Sequence, residues 1–224
     1  MREDLSTRKT KTNPSFKYEL SEEQKLAKEK ILDSKIAIIT GKAGTSKTFL
    51  ASQIALDLFL KGGVEKMYIA RPQVSTEDMG YLPGNKDEKM RQWCAPVIEN
   101  MEILRENGKK EVEKWLKDGQ LELLPLQFAR GRTVTNSIMI IDEAQNLTKL
   151  QTYLFCTRLG KGSLMIFTGD LRQNDLKQPS RSGFNQLIET ADRLDEMVHV
   201  ELNQNYRDPM VAKFMEQYEK ICGW

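Results

Sequence analysis

The run Gly41-Lys42-Ala43-Gly44-Thr45-Ser46-Lys47-Thr48 carries the residue types of a phosphate-cradling loop at the spacing such a loop needs. Glycine lets the backbone curl so that successive N–H groups point inward at phosphate oxygens. A helix opening at Lys47 adds unpaired N–H donors and partial positive charge. The Lys47 ammonium then reaches the β- and γ-phosphates, and the Thr48 hydroxyl becomes a magnesium ligand. Phe49, next in line, completes the nucleotide-binding set. Ser46 departs from the usual pattern, which has glycine immediately before the lysine. If that position keeps a positive φ, serine costs about 1 kcal/mol relative to glycine.

A second run, Ile138-Met139-Ile140-Ile141-Asp142-Glu143-Ala144-Gln145, puts two carboxylates at the end of an apolar stretch. Asp142 is placed to hold magnesium through water, and Glu143 to polarise the water that attacks the γ-phosphate. The bland alternative, that the pair caps the next helix, does not explain why both motifs end apolar strands. The implied ligands are ATP and Mg2+. Thr168-Gly169-Asp170-Leu171-Arg172-Gln173 ends another apolar stretch. Gln173 there is either a sensor of the γ-phosphate and lytic water or part of a polar turn.

These groups need a frame that brings strand ends together. Short apolar runs at Ile36–Thr40, Lys66–Ala70, Leu121–Leu124, Ile138–Ile141, Leu164–Thr168 and Val198–Leu202 read as strands. Helical patterns run over Ser21–Ile31, Lys47–Leu60, Asp87–Asn107, Lys109–Lys117, Leu150–Leu159, Gly183–Arg193 and Pro209–Lys220. Ser21 and Gln24 form a capping-box pair at the first of them. Strands apolar on both faces, alternating with helices, predict an α/β fold: a mainly parallel sheet with helices on both faces. In such sheets ligands gather outside the carboxyl ends of the strands, where both motifs lie. Residues 1–15, with Arg2, Arg8, Lys9 and Lys11, read as a flexible polar tail, and 16–224 as one domain.

Together the motifs resemble the PhoH-like ATPases, a branch of the superfamily-one helicase-like P-loop proteins. The resemblance rests on Gly41–Thr48, Arg71-Pro72, Leu82-Pro83-Gly84, Arg130-Gly131-Arg132-Thr133, Asp142–Gln145 and Thr168-Gly169-Asp170 with Gln173. It implies a RecA-like P-loop domain that hydrolyses ATP, with possible helicase activity. The short chain is similar to versions carried by bacteriophages, which implies the host cytoplasm. The resemblance gives Gln24 an adenine-reading role, beside its simpler reading as a cap. Tyr206, in Leu202-Asn203-Gln204-Asn205-Tyr206-Arg207, is placed to stack on adenine, and Arg207 to reach the γ-phosphate as an arginine finger. The chain stops one helix after this segment, where helicases carry a second motor domain. That implies subunits completing each other's sites, as a hexameric ring, with Arg207, Arg130 or Arg132 supplying charge across the interface. Arg71 matches a position where helicase-like proteins meet single strands; with Tyr81 and Trp93 it either contacts RNA or single-stranded DNA, or packs locally.

Composition bounds the rest. The chain has 224 residues, 39% hydrophobic and 29% charged, with 34 basic against 32 acidic residues. That net charge of +2 argues neither for nor against nucleic acid. No apolar run reaches the roughly 20 residues of a membrane span, and the N-terminus lacks a secretory pattern, which predicts a cytoplasmic protein. Cys94, Cys156 and Cys222 are too scattered for a disulfide framework or zinc site, and His199 falls in a strand-like run. An ATP-driven motor on RNA or single-stranded DNA is the leading expectation. A nucleotide switch that recruits a protein partner is the alternative, kept alive by Ser46. A small-molecule kinase fits Glu143 and Gln173 less well.

Overall fold

A computed structural model of the chain describes residues 14–72, 86–125 and 133–222. The strands are β1 (Ile36–Gly41), β2 (Lys66–Ala70), β3 (Leu121–Leu123), β4 (Ser137–Ile141), β5 (Leu164–Gly169) and β6 (Met197–Leu202). They form one six-stranded sheet in the order β3-β2-β4-β5-β1-β6, with every neighbouring pair parallel. All six carboxyl ends therefore lie along a single edge.

The helices are α1 (Glu22–Leu32), α2 (Lys47–Leu60), α3 (Lys86–Trp93), α4 (Ala95–Ile103), α5 (Gly108–Lys117), α6 (Lys149–Cys156), α7 (Phe184–Ala191) and α8 (Pro209–Cys222). Strand residues alternate between two cores, as the period of two requires. Ala37, Ile39, Ile69, Ile138, Ile140 and Ile166 pack with Ile31 of α1, Leu50 and Ile54 of α2, Met101 of α4 and Trp115 of α5. Ile36, Ile38, Met139, Ile141, Met165 and Phe167 pack with Phe155 of α6 and with Phe184 and Leu187 of α7. The α/β architecture with helices on both faces is as expected, and among the described strands the sheet is wholly parallel.

Helix α2 is buried continuously from Leu50 to Leu58, so it is a core helix rather than an amphipathic surface one. Its buried Asp57 is compensated by two lysines, Lys28 at 2.6 Å and Lys61 at 2.9 Å. The single helix expected over Asp87–Asn107 is instead two. The break falls at Cys94, because Pro96 sits in the first turn of α4 and has no N–H to continue the ladder of α3. Helix α1 starts at the capping box: Ser21 Oγ accepts from Gln24 N, and Gln24 Oε1 accepts from Ser21 N at 3.1 Å. No helix among the described residues is long and apolar enough to cross a membrane. Tyr81, the 82–84 motif, Arg130, Arg132 and most of the 1–15 tail lie outside the described residues.

Phe167 is fully buried at the centre of the second core. Phe167→Ala should cost about 3–5 kcal/mol, read as a lower urea midpoint at unchanged denaturant slope.

Candidate nucleotide site

The loop between β1 and α2 is shaped by its backbone. Gly44 has φ +89°, and a Cβ there would lie 2.7 Å from Asn205 Oδ1 and 2.9 Å from the Arg207 stem. At that φ any side chain is strained, and a Cβ would force the Asn205 and Arg207 side chains to shift. The Gly44 carbonyl in turn accepts from Tyr206 N at 3.0 Å, which seals the segment after β6 onto the loop. Ser46 does adopt the left-handed conformation, φ 61° and ψ 31°, and its side chain makes no capping hydrogen bond to α2. The strain anticipated for serine is therefore present.

Lys47 Nζ donates to the Gly41 carbonyl at 2.7 Å and to the Lys42 carbonyl at 3.0 Å. Burial pushes its ammonium below the usual lysine range, while Asp170, Glu143 and Asp142 pull it back up. Thr48 Oγ1 donates to Asp142 Oδ1 at 2.9 Å, and Thr168 Oγ1 donates to the same oxygen at 2.6 Å. The Thr48 hydroxyl and the Asp142 carboxylate thus meet across the sheet edge, as a shared metal site demands. Among the described residues no group of three or more His, Cys, Asp or Glu could cage an ion. One carboxylate and one hydroxyl suit magnesium, which keeps several waters and takes few protein ligands.

Glu143 follows Asp142 in the left-handed region, φ 55° and ψ 42°. Its Oε2 accepts from Gln145 Nε2 at 2.6 Å, and its Oε1 faces Arg71 at 3.4 Å. Gln145 Nε2 also donates to the Gln173 carbonyl at 2.9 Å, and its Oε1 accepts from Asp170 N at 3.2 Å. One amide therefore ties the loop after β4 to the loop after β5. Asn146 adds a parallel tie, its Oδ1 accepting from Asp175 N at 2.8 Å.

A cavity of about 360 Å³ opens between these loops, lined among others by Ala43, Gly44, Ser46, Lys47, Thr48, Phe49, Asp142, Glu143, Gln173, Tyr206 and Arg207. Most residues singled out in the sequence are brought together there. Lys42 and Thr45 contribute to the loop itself, Thr45 Oγ1 donating to the Lys42 carbonyl at 2.9 Å. Gln24 is not in that lining: it is buried and engaged in the α1 cap. Its cap partner Ser21 nevertheless touches the site, with Ser21 Oγ and Tyr206 OH 2.6 Å apart. Arg71 stands at one remove, bonded to Glu143 rather than facing the cavity.

Gln145 and Thr168 are the residues that sequence reasoning left without a role. Both fall inside quoted motifs, but only the fold shows what they hold. His199 is structural: its Nε2 lies 2.8 Å from Thr40 Oγ1, and burial lowers its pKa. Burial pushes the Cys94 and Cys156 thiols up to about 12, which makes them inert at neutral pH.

A family profile described as PhoH-like protein matches residues 18–219. The PhoH-like protein of Bacillus subtilis is 38% identical over 183 residues, covering 80% of this chain and 57% of that one. Protein PhoH2 of Mycolicibacterium smegmatis is 35% identical over 207 residues, covering 90% of this chain and 47% of that one. Protein PhoH of Escherichia coli is 35% identical over 175 residues, covering 76% and 49% respectively. The chain thus spans about half the length of the curated relatives it matches. Among solved structures, the Pif1 helicase of Candida albicans aligns over 89% of this chain and 43% of its own, with a TM-score of 0.47 and 15% identity.

The left-handed Ser46 yields a test of the loop itself. Ser46→Gly should raise stability by about 1 kcal/mol, seen as a melting temperature roughly 2–4 °C higher. An unchanged or lower melting temperature would show that Ser46 carries no strain.

Proposed function

The chain belongs to the PhoH-like protein family of P-loop ATPases, and we propose that it binds ATP with magnesium and hydrolyses it as an oligomeric motor on RNA or single-stranded DNA. The observation that carries the hydrolytic reading is the meeting of Thr48, Asp142 and Glu143 at one cavity, with the Asp142 carboxylate oriented by two hydroxyls. In this reading Gly41 to Thr48 hold the phosphates, and Lys47 neutralises the β- and γ-oxygens. Thr48 and Asp142 hold magnesium, which supplies charge neutralisation on the phosphates when bound. Glu143 accepts the proton of the attacking water, and Gln173 lies beside it to position that water.

Arg207 lines the same cavity from its own chain, which supports a stabilising role in cis. Tyr206, fixed by Ser21 and by Gly44, is suited to the adenine side, with Phe49 on the cavity wall and Gln24 behind the cap. Self-association is supported by the apolar stripe on α8, where Met210, Phe214, Tyr218 and Ile221 are all exposed, and the hexameric ring rests on the family resemblance. Arg130 and Arg132 are kept as interface candidates on the strength of the family resemblance alone. Action on a single strand is supported by Arg71 and Trp93 beside the site.

One observation favours a second reading, a nucleotide-dependent switch that recruits a protein partner with little turnover. Ser46 is held left-handed beside Lys47, and strain stored next to the phosphate-binding lysine would slow turnover.

The test is phosphate release with magnesium, with and without single-stranded RNA and DNA. Lys47→Ala and Glu143→Gln should each lower turnover at least about 100-fold. Tight ATP binding with no release in the unaltered chain would remove the motor and leave the switch. Light scattering under turnover conditions should give a mass of several subunits; a fully active monomer would remove the ring.

A further inference from the structure

Gln145 is buried behind the wall of the nucleotide cavity, and the residues it bonds, Glu143, Asp170 and Gln173, are lining residues while it is not. Its side-chain amide is engaged at both ends. Nε2 donates to Glu143 Oε2 at 2.6 Å and to the Gln173 carbonyl at 2.9 Å, and Oε1 accepts from Asp170 N at 3.2 Å. An amide NH2 carries two hydrogens, so each acceptor takes one. The orientation is forced. Turned over, the amide would set its oxygen against a carboxylate and a carbonyl, and its NH2 against an N–H.

The surrounding backbone keeps the amide in place. The Gln145 carbonyl accepts from Ser182 Oγ at 2.8 Å, at the far end of the loop after β5. Gly169 closes β5 beside it, and a Cβ there would lie 2.8 Å from Gln145 Oε1, in the room the amide occupies. Glu143, by contrast, is a part-exposed side chain with three rotatable bonds, carried on a left-handed backbone. Its contact with Arg71, at 3.4 Å, lies outside the ordinary N–H···O range; its bond from Gln145, at 2.6 Å, is at the short, charge-assisted end. Each carboxylate oxygen has two lone pairs, so one on each remains for the proton of water. The Gln145 bond therefore orients the base without occupying it.

We infer that Gln145 is a positioning residue for hydrolysis, which holds the Glu143 carboxylate to the backbone of the loop after β5 and so fixes where the base stands at the cavity. The inference rests on the ATPase reading and adds to it a residue that touches neither nucleotide nor metal. Gln145 acts on the geometry of water attack, so it matters in the transition state and not in the binding of nucleotide.

Phosphate release and nucleotide binding by the full chain test this, with Gln145→Met and Gln145→Glu. Both substitutes are close to glutamine in size and neither donates to Glu143; Gln145→Glu also keeps an acceptor for Asp170 N. Each should lower kcat and kcat/KM together by roughly 10- to 100-fold, the cost of misplacing a reacting group by up to about 1 Å. Affinity for magnesium with ADP should stay within about twofold, while the extra affinity gained on adding aluminium fluoride, which mimics the transferred phosphoryl group, should fall roughly tenfold. Combined with Glu143→Gln, Gln145→Met should cost less than about threefold more, because it acts through that carboxylate. ADP affinity that falls in step with turnover would make Gln145 a support for the fold alone. Costs that multiply in the double variant would place its action elsewhere than Glu143. Either result overturns the inference, as does an unchanged rate in both single variants while Lys47-dependent release persists. Absence of that release from the unaltered chain would remove the ATPase reading, and the inference with it.

Discussion

A buried carboxylate is tolerated only where its lone pairs are satisfied, and the site depends on how Asp142 meets that requirement. One of its oxygens accepts from Thr48, in the first turn of α2, and from Thr168, near the end of β5. Asp142 itself follows β4, and β5 lies between β4 and β1 in the sheet. The three side chains therefore bind together the ends of three adjacent strands. An all-parallel sheet makes this possible, because every strand delivers its last residue to the same edge. With one strand reversed, Thr168 would lie at the far end and Asp142 would be buried with one partner fewer.

Backbone strain is concentrated at the same edge. Among the described residues the non-glycine positions with positive φ are Ser46, Asn136 and Glu143. Asn136 is ordinary, since asparagine tolerates the left-handed region in turns. Ser46 and Glu143 are not, and they stand one in each of the two phosphate-chemistry motifs. Such strain persists only where the surroundings over-determine the backbone. At Glu143 the surroundings are visible: the flanking Asp142 is fixed by two hydroxyls, and the following Ala144–Asn146 turn is buried and tied to the loop after β5. The carboxylate is thereby turned out of the strand direction and toward the cavity.

Much of this was legible in the sequence. Apolar runs such as Ile138–Ile141 located the strands because a central parallel strand is buried on both faces, and glycine spacing located the phosphate loop. Pro96 was visible too, but helical periodicity on both sides of it hid the break between α3 and α4. What could not be read was any contact between distant residues. Gln145 looks like one more motif letter until the fold places Gln173 and Asp170 beside its amide. Arg71 and Trp93 each stood out as a possible strand contact. The pairing of Arg71 with Glu143 comes from the side-by-side placement of β2 and β4, and the guanidinium carbon lies 5.5 Å from the ring of Trp93 at the end of α3; no local pattern encodes either. Gln24 shows the converse: the local capping signal was correct, and the cap uses the side chain that the resemblance assigned to adenine.

The register of one edge strand explains why the segment after β6 reaches the phosphate loop. β6 pairs parallel with β1, and Leu202 stands opposite Gly41. Two chains leaving a parallel pair at the same level travel together, so Asn205 and Arg207 come to lie against Gly44. That contact crowds any side chain at position 44 and lets Tyr206 bond the Gly44 carbonyl. Helix α1 closes the arrangement from the other side, because the Glu23 carboxylate accepts from the backbone N–H groups of Asn203 at 2.8 Å and Gln204 at 3.1 Å. The start of the described chain, the phosphate loop and the segment after β6 are thus parts of one wall. Tyr206 and Arg207 are carried by a loop that cannot shift without disturbing Gly44. Through Tyr206 the phosphate loop is therefore joined to the segment leading into α8 and, beyond it, to the cap and first turn of α1.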